Sequence, residues 1–242
     1  LAVCVDSDDY IDADTCEILA GAICESGADI IQHGIKPEMV IPNEKKEKWY
    51  QKAFVPYEGE LNGADILRHY FISRKITTNL FGKAYRTELL KRVYAILPDM
   101  PVYVGEDIFA SFLIAMRAGS YVGLSNRQLY HYRWGLGVGN NEKMSLEKFA
   151  MYNDMSKLVR EIRKYVEGRK YTHLHAEALS AVSGRMLEDV LRIFAQERLF
   201  AQDIPQAEGM LAKAWYDIAG AGDLIERRLG KTVSQIMNVC CP

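Results

Sequence analysis

The chain has 242 residues, of which 49% are hydrophobic and 26% charged, with a formal net charge of −2. That is the make-up of an ordinary globular protein, long enough for one domain with an appendage or for two small domains. The near-neutral balance argues against nucleic acid as a partner, which would call for a strongly basic surface. The five cysteines are odd in number and form no Cys-x-x-Cys pair, so reduced, partly buried thiols in a cytoplasmic protein are expected rather than a zinc site. No apolar run is long enough for a membrane span.

The most informative stretch comes first. Val3, Cys4 and Val5 read as the end of a buried strand, and Asp6, Asp8, Asp9, Asp12, Asp14 and Glu17 follow in one short arc. Like charges so close repel one another, and are normally kept only if well solvated or shared with a cation. At the carboxyl end of a strand in an α/β sheet they also sit where ligands bind. As a calcium loop counted from Asp6, the arc places Ile11 where a glycine is needed, and a strand precedes it. As the Asp-x-Asp of a haloacid-dehalogenase-type phosphatase, it would make Asp6 a nucleophile. That family expects a small Gly-Thr-like pair next, where this chain has Asp9-Tyr10. As the Asp-x-Asp of a nucleotide-sugar site, it would hold a divalent metal against a diphosphate, and hard carboxylate oxygens suit Mg²⁺ or Mn²⁺.

Asp14 and Glu17 then predict a capping box at the start of a helix whose Ile18, Leu19, Ala22 and Ile23 share a face. Gly27 ends this helix, and ADIIQHG (28–34) reads as a strand. The pattern is poor over 36–60, where the mixed charges of 44–48 suggest a solvated loop or helix end. A short helix runs from 62 or 63 to 71, with Leu61, Ile66, Leu67, Tyr70 and Phe71 as its apolar side. TTNLFGKAYRTELLKR (77–92) reads as a loop carrying Asn79 and Lys83 ahead of another short helix. In VGEDIFASFLIAMRA (104–118), Glu106 and Asp107 open a helix that buries Ile108, Phe109, Phe112, Leu113 and Met116. YVGLSNRQLYHYRW (121–134) reads as a strand, a Ser125-Asn126 turn and a second strand. The glycine-rich GLGVGNN (135–141) after it is suited to a mobile lid.

From 145 the pattern is helical. One amphipathic helix is expected over 146–166 and a longer one over 174–194, with further helices around 207–218 and 223–229 packed as antiparallel hairpins. His173 and His175 are expected on an exposed face rather than as metal ligands.

Four of these segments, in this order, resemble family 2 glycosyltransferases of the A-type fold: VCVDSDDYIDAD with ESGADIIQHG, the 77–92 segment, the Glu106-Asp107 pair and LYHYR (129–133). The resemblance implies an α/β fold class: the C-terminal half of a GT-A (nucleotide-diphospho-sugar transferase) fold over 1–140, followed by an all-α helical extension over 141–242. It also implies that further βαβ units, with most of the nucleotide pocket, precede Leu1 in a longer protein. The implied reaction transfers a sugar, with inversion, from a nucleotide-diphosphate donor, a UDP-sugar first among them. The acceptor would be a hydroxyl on a glycan, lipid-linked glycan or polyol phosphate in cell-surface polysaccharide or glycoconjugate synthesis.

In that reading Asp8 and Asp6 ligate Mn²⁺ or Mg²⁺ with His131 as a third ligand, and Asp6 also supports the ribose. Arg133 approaches the diphosphate, and Asp9, Asn79 and Lys83 contact substrate. Asp107, beside Glu106, takes the acceptor's proton. Leu80-Phe81-Gly82 separate Asn79 from Lys83, which many family members have adjacent. The helical extension would serve a homodimer, acceptor docking or contact with the inner face of a membrane. Two rivals stand beside this reading: the phosphatase using Asp6, and a non-catalytic fragment that binds a partner through its helices.

Overall fold

The computed structural model describes residues 1–136, 143–168 and 172–240. The chain divides into two compact units, Leu1–Pro98 with Ala110–Asn140, and Asp99–Phe109 with Asn141–Pro242.

The first unit is built on a mixed sheet. Its strands are β1 (Ala2–Val3), β2 (Tyr10–Ile11), β3 (Ile30–Met39), β4 (Gly59–Asn62), β5 (Lys83–Tyr85) and β6 (Ser120–Trp134), in the order β1-β5-β3-β6-β2 with β4 also on β6. β3 and β6 run parallel, while β1 on β5, β5 on β3, and β4 and β2 on β6 are antiparallel. Helices α1 (Thr15–Ser26), α2 (Glu44–Ala53), α3 (Ala64–Leu67, continued by a π-helical turn over Arg68–Ile72) and α4 (Thr87–Tyr94) connect the strands. α5 (Glu106–Arg117) precedes β6.

Side chains alternate across the strands and so give the sheet two faces. Ile31 and Ala84 face α1, where they meet Leu19, Ala28 and Leu129. Farther along, Ile35, Phe54, Phe81 and Tyr130 form a second, aromatic cluster, against which Tyr50 of α2 packs. On the opposite face the paired Gln32 and Lys83 lie with Tyr121, whose hydroxyl is 2.8 Å from Gln32 Oε1. Phe71 and Phe112 pack there at 5.1 Å between ring centroids. Gly27 closes α1 at φ +68, a conformation that favours glycine, as its place at the end of the apolar pattern predicts. Gly123 has a different reason: a Cβ there would stand 1.8 Å from the Tyr57 carbonyl oxygen.

Several expectations are corrected. β1 is a two-residue edge strand, half-buried, and Val5 beyond it is 44% exposed, because β5 is its one neighbour among the described residues. The capping box at α1 is absent: Asp14 makes no side-chain cap bond. Instead Thr15 N–H bonds to Asp12 O and Thr15 Oγ1 to Leu129 O, so the helix start is pinned to β6. β3 continues through Lys36 and Pro37 to Met39, drawn out by its pairing with β6. The charged run opens a full helix, α2, capped by Asn43 and with no buried residue. β6 is one strand, not two. Its partner on β3 steps from His33 opposite Leu124 to Gly34 opposite Gln128, so Ser125, Asn126 and Arg127 bulge out without reversing the chain.

The second unit holds α6 (Leu146–Asn153), α7 (Met155–Glu167), α8 (His173–Ala195), α9 (Ile204–Trp215), α10 (Ala221–Leu229) and α11 (Val233–Cys240). The single helix expected over 146–166 is two, broken at Asp154, which ends α6 and begins α7. The buried Trp215 indole donates to Asn153 Oδ1 at 2.9 Å, and Asn153 donates to Met210 O, so this break is tied to α9 by polar bonds inside an apolar core. His173 is exposed as expected, and His175 completes a capping box with Thr172. Of the glycine-rich segment, residues 137–141 lie outside the described residues.

Candidate active site

The first part of the acidic arc, residues 6–9, is a tight turn between β1 and β2, closed by Asp9 N–H to Asp6 O at 3.1 Å. It brings Asp6, Asp8 and Asp9 together, one carboxylate oxygen from each lying within 4.8 Å of the others. A strand, not a helix, precedes it, which removes the calcium-loop reading. Three carboxylate oxygens this close together could hold a divalent ion, and hard oxygen ligands suit Mg²⁺ or Mn²⁺, which commonly bind through one or two carboxylates plus substrate phosphates.

The turn is held from β6. Tyr130, buried in the aromatic cluster, accepts from Asp6 N–H at 3.1 Å and donates to Asp9 Oδ2 at 2.7 Å. Arg133 N–H donates to Asp9 Oδ1 at 2.8 Å, so both Asp9 oxygens are engaged. Burial, then the bond to Asp9, pushes the Tyr130 hydroxyl far above its usual range, so it stays protonated and keeps donating. Tyr132 is shifted up in the same direction, by burial first and then by Tyr50 and the charges of Asp9 and Asp8.

His131 lies on the other face of β6. Its Nδ1 is 2.8 Å from Glu38 Oε1 and its Nε2 2.8 Å from Asp12 Oδ1, and Tyr10 stacks on the ring at 4.2 Å. Glu38 also accepts from Tyr10 Oη at 2.7 Å, and this bond, with that to His131, holds its carboxyl below the usual carboxylate range. The structure therefore places His131 between Asp12 and Glu38 rather than among Asp6, Asp8 and Asp9. The Arg133 side chain is exposed.

Lys83 is neither a surface lysine nor aimed at the turn. It is fully buried on β5, its ammonium 2.6 Å from Asn79 O and 3.4 Å from Thr77 Oγ1. The Asn79 side chain donates to Phe81 O at 2.6 Å. Both residues thus shape the 77–82 loop, which Ser111 of α5 anchors through Thr78 O at 2.7 Å. Glu106 is exposed and Asp107 half-buried in the first turn of α5, where the helix dipole favours acids.

Sequence reasoning passed over Tyr130, Glu38, Asp12 and Tyr10 as site residues. Tyr130 could have been found from its alternation with His131 in LYHYR, since neighbours on a strand serve opposite faces. Glu38 had no such signal, because β3 was not expected to reach it.

No family model matches the sequence, and no curated protein does. The structure is similar to TarS of S. aureus. With residues 1–349 of TarS bound to UDP-GlcNAc, the TM-score is 0.57 at 18% identity, over 98% of this chain and 65% of that one. With the same residues bound to UDP it is 0.55 at 19% identity, over 98% of this chain and 64% of that one. This chain thus spans just under two thirds of those neighbours. At that identity the likeness establishes the fold alone: the chain has the α/β architecture of part of a glycosyltransferase, followed by a helical extension.

Proposed function

We propose that this chain is the acceptor-side portion of a nucleotide-sugar glycosyltransferase, with the 6–9 turn as its metal and diphosphate site. The observation that carries the reading is the convergence of the Asp6, Asp8 and Asp9 oxygens at the carboxyl end of β1, within a fold shared with a protein solved with UDP-GlcNAc.

Asp8 and Asp6 supply the metal ligands, and Asp6 supports the nucleotide. A bound Mn²⁺ or Mg²⁺ would neutralise the charge that builds on the departing diphosphate. Arg133, exposed on the strand that anchors the turn, reaches toward the same phosphates. His131, with Asp12 and Glu38, forms the wall beside the turn, and can serve as a ligand only by exchanging the Nε2 contact with Asp12. Lys83 and Asn79 act on substrate indirectly, through the shape of the 77–82 loop. Asp107, on the resemblance of the Glu106-Asp107 pair alone, accepts the proton of the acceptor hydroxyl. That oxygen then bonds to the anomeric carbon as the bond to the diphosphate breaks, inverting the centre. Donors to try first are UDP-sugars, N-acetylglucosamine among them. Acceptors to try are glycans, lipid-linked glycans and polyol phosphates. No described helix is long and apolar enough to cross a membrane.

The test is calorimetric titration of Mn²⁺ with UDP into the chain and into an Asp8→Ala variant. Metal-dependent UDP binding that disappears in the variant is the expected result. Equal binding by both, or none by either, overturns the assignment of the turn.

A further inference from the structure

We propose that Tyr130 is the positioning residue of the acidic turn: its hydroxyl, bridging the Asp6 amide and the Asp9 carboxylate, sets the spacing at which Asp6 and Asp8 meet a metal-bound diphosphate. This rests on the reading of the turn given above and adds a residue that touches neither metal nor substrate.

The geometry is specific. Asp6 and Asp9 are the first and last residues of the turn, and one hydroxyl serves both, accepting from one and donating to the other. Few side chains can do this from a buried position, and phenylalanine, nearest in shape, cannot do it at all. The ring itself cannot drift, since it has no solvent exposure and stacks on Phe81 at 4.9 Å with an 18° interplanar angle. It also faces Ile11 across the β2–β6 pairing, so the strand that leaves the turn is fixed on the same residue. Arg133 N–H holds the other Asp9 oxygen, and Asp12 N–H bonds to Leu129 O. A flexible turn of three carboxylates would splay under mutual repulsion. With Asp9 drawn down onto β6, the turn is kept closed before any cation arrives, so less ordering remains to be done on binding.

The experiment uses Tyr130→Phe, which removes the hydroxyl and keeps the ring, together with Asp9→Asn and the double variant. In Tyr130→Phe, Mn²⁺-dependent UDP affinity should fall about 10- to 100-fold, the range for residues that orient ligands from behind. UDP binding without metal should change little, whereas a merely structural role would weaken UDP binding with and without metal alike. Hydrogen exchange of the Asp6 amide, measured by NMR without metal, should speed up. The Asp9→Asn loss should be much smaller in the Tyr130→Phe background than alone, because both break one bridge. Unchanged metal-dependent affinity, additive losses or unchanged Asp6 exchange would each overturn the proposal. If the parent chain binds no UDP with Mn²⁺, the glycosyltransferase site fails, and the Asp6 exchange rate then decides by itself whether Tyr130 positions the turn.

Discussion

Over residues 120–123, β6 runs between β3 and β4, Tyr121 is fully buried and Gly123 admits no side chain against Tyr57. At Tyr130 and His131 the same strand runs between β3 and β2, and along 130–134 its polar groups are directed at the acidic turn, at Asp12 and at Glu38. The bulge at Ser125, Asn126 and Arg127 divides the two lengths. One end is built from groups that need each other. The other is built from groups that hold carboxylates in place while leaving Asp6 exposed and Asp8 half-exposed. The contrast teaches that a single strand can be dominated by packing at one end and by electrostatics at the other, provided its register is allowed to slip in between.

The sharpest way to break this contrast is Gly123→Ala. A methyl group would overlap the Tyr57 carbonyl oxygen, and since neither backbone can yield cheaply, a loss of about 3 kcal/mol in urea unfolding is expected. Metal-dependent UDP affinity per folded molecule should stay as it was. At the other end, His131→Ala removes the ring between Asp12 and Glu38 and strips Tyr10 of its stack. About 2 kcal/mol of stability should be lost, and here UDP affinity with Mn²⁺ should fall as well, read by the same calorimetry. Tyr121→Phe deletes a hydroxyl lying 2.8 Å from Gln32 Oε1 and 3.1 Å from Tyr57 O. About 1 kcal/mol is expected from urea unfolding, with no change in binding.

The smallest effect concerns the junction itself. His33 sits opposite Leu124 where the register slips, with Nδ1 2.9 Å from Gly34 O and Nε2 buried without a partner. Burial, reinforced by the charge of Lys83, lowers its pKa. The folded protein therefore binds the proton less readily than the unfolded chain does. The stability due to neutral His33 is complete above the unfolded histidine value of about 6.5 and is lost as pH falls below it toward the lowered folded value. Urea midpoints from pH 7.5 to 5.5 should decline in the parent chain, and less so in His33→Gln.

How much of this was legible depends on how local the signal is. The acidic turn, the Gly27 stop, α5 and α8 each announce themselves within a dozen or so residues, by carboxylate density, a glycine or an apolar face. β3 beyond Gly34 does not. Pro37 and the charges at Lys36 and Glu38 spoil its strand pattern, and it is extended because β6 lies alongside. Ser125-Asn126 carries the composition of a turn, yet the chain goes straight on, since β3 pairs with β6 on both sides of the bulge. The clustering of carboxylates in the turn could be read in advance, but what holds them could not: Tyr130 and Glu38 acquire their meaning from partners 121 and 93 residues away.

That separation also governs the order in which the protein can be made. β3 and β6, the longest pairing of the sheet, join residues about 90 positions apart, as Asp29 and Ser120 show with a separation of 91. Pairings this distant form late and slowly, because a long loop must close before any contact rewards it. During synthesis from the amino end, the acidic turn leaves the ribosome well ahead of Tyr130 and Arg133, the residues that will close it. Until they emerge, β3 has an unpaired edge and the aromatic cluster lacks a member. The nascent chain thus carries an open strand until about 90 further residues have emerged, a period in which a chaperone has most to offer it.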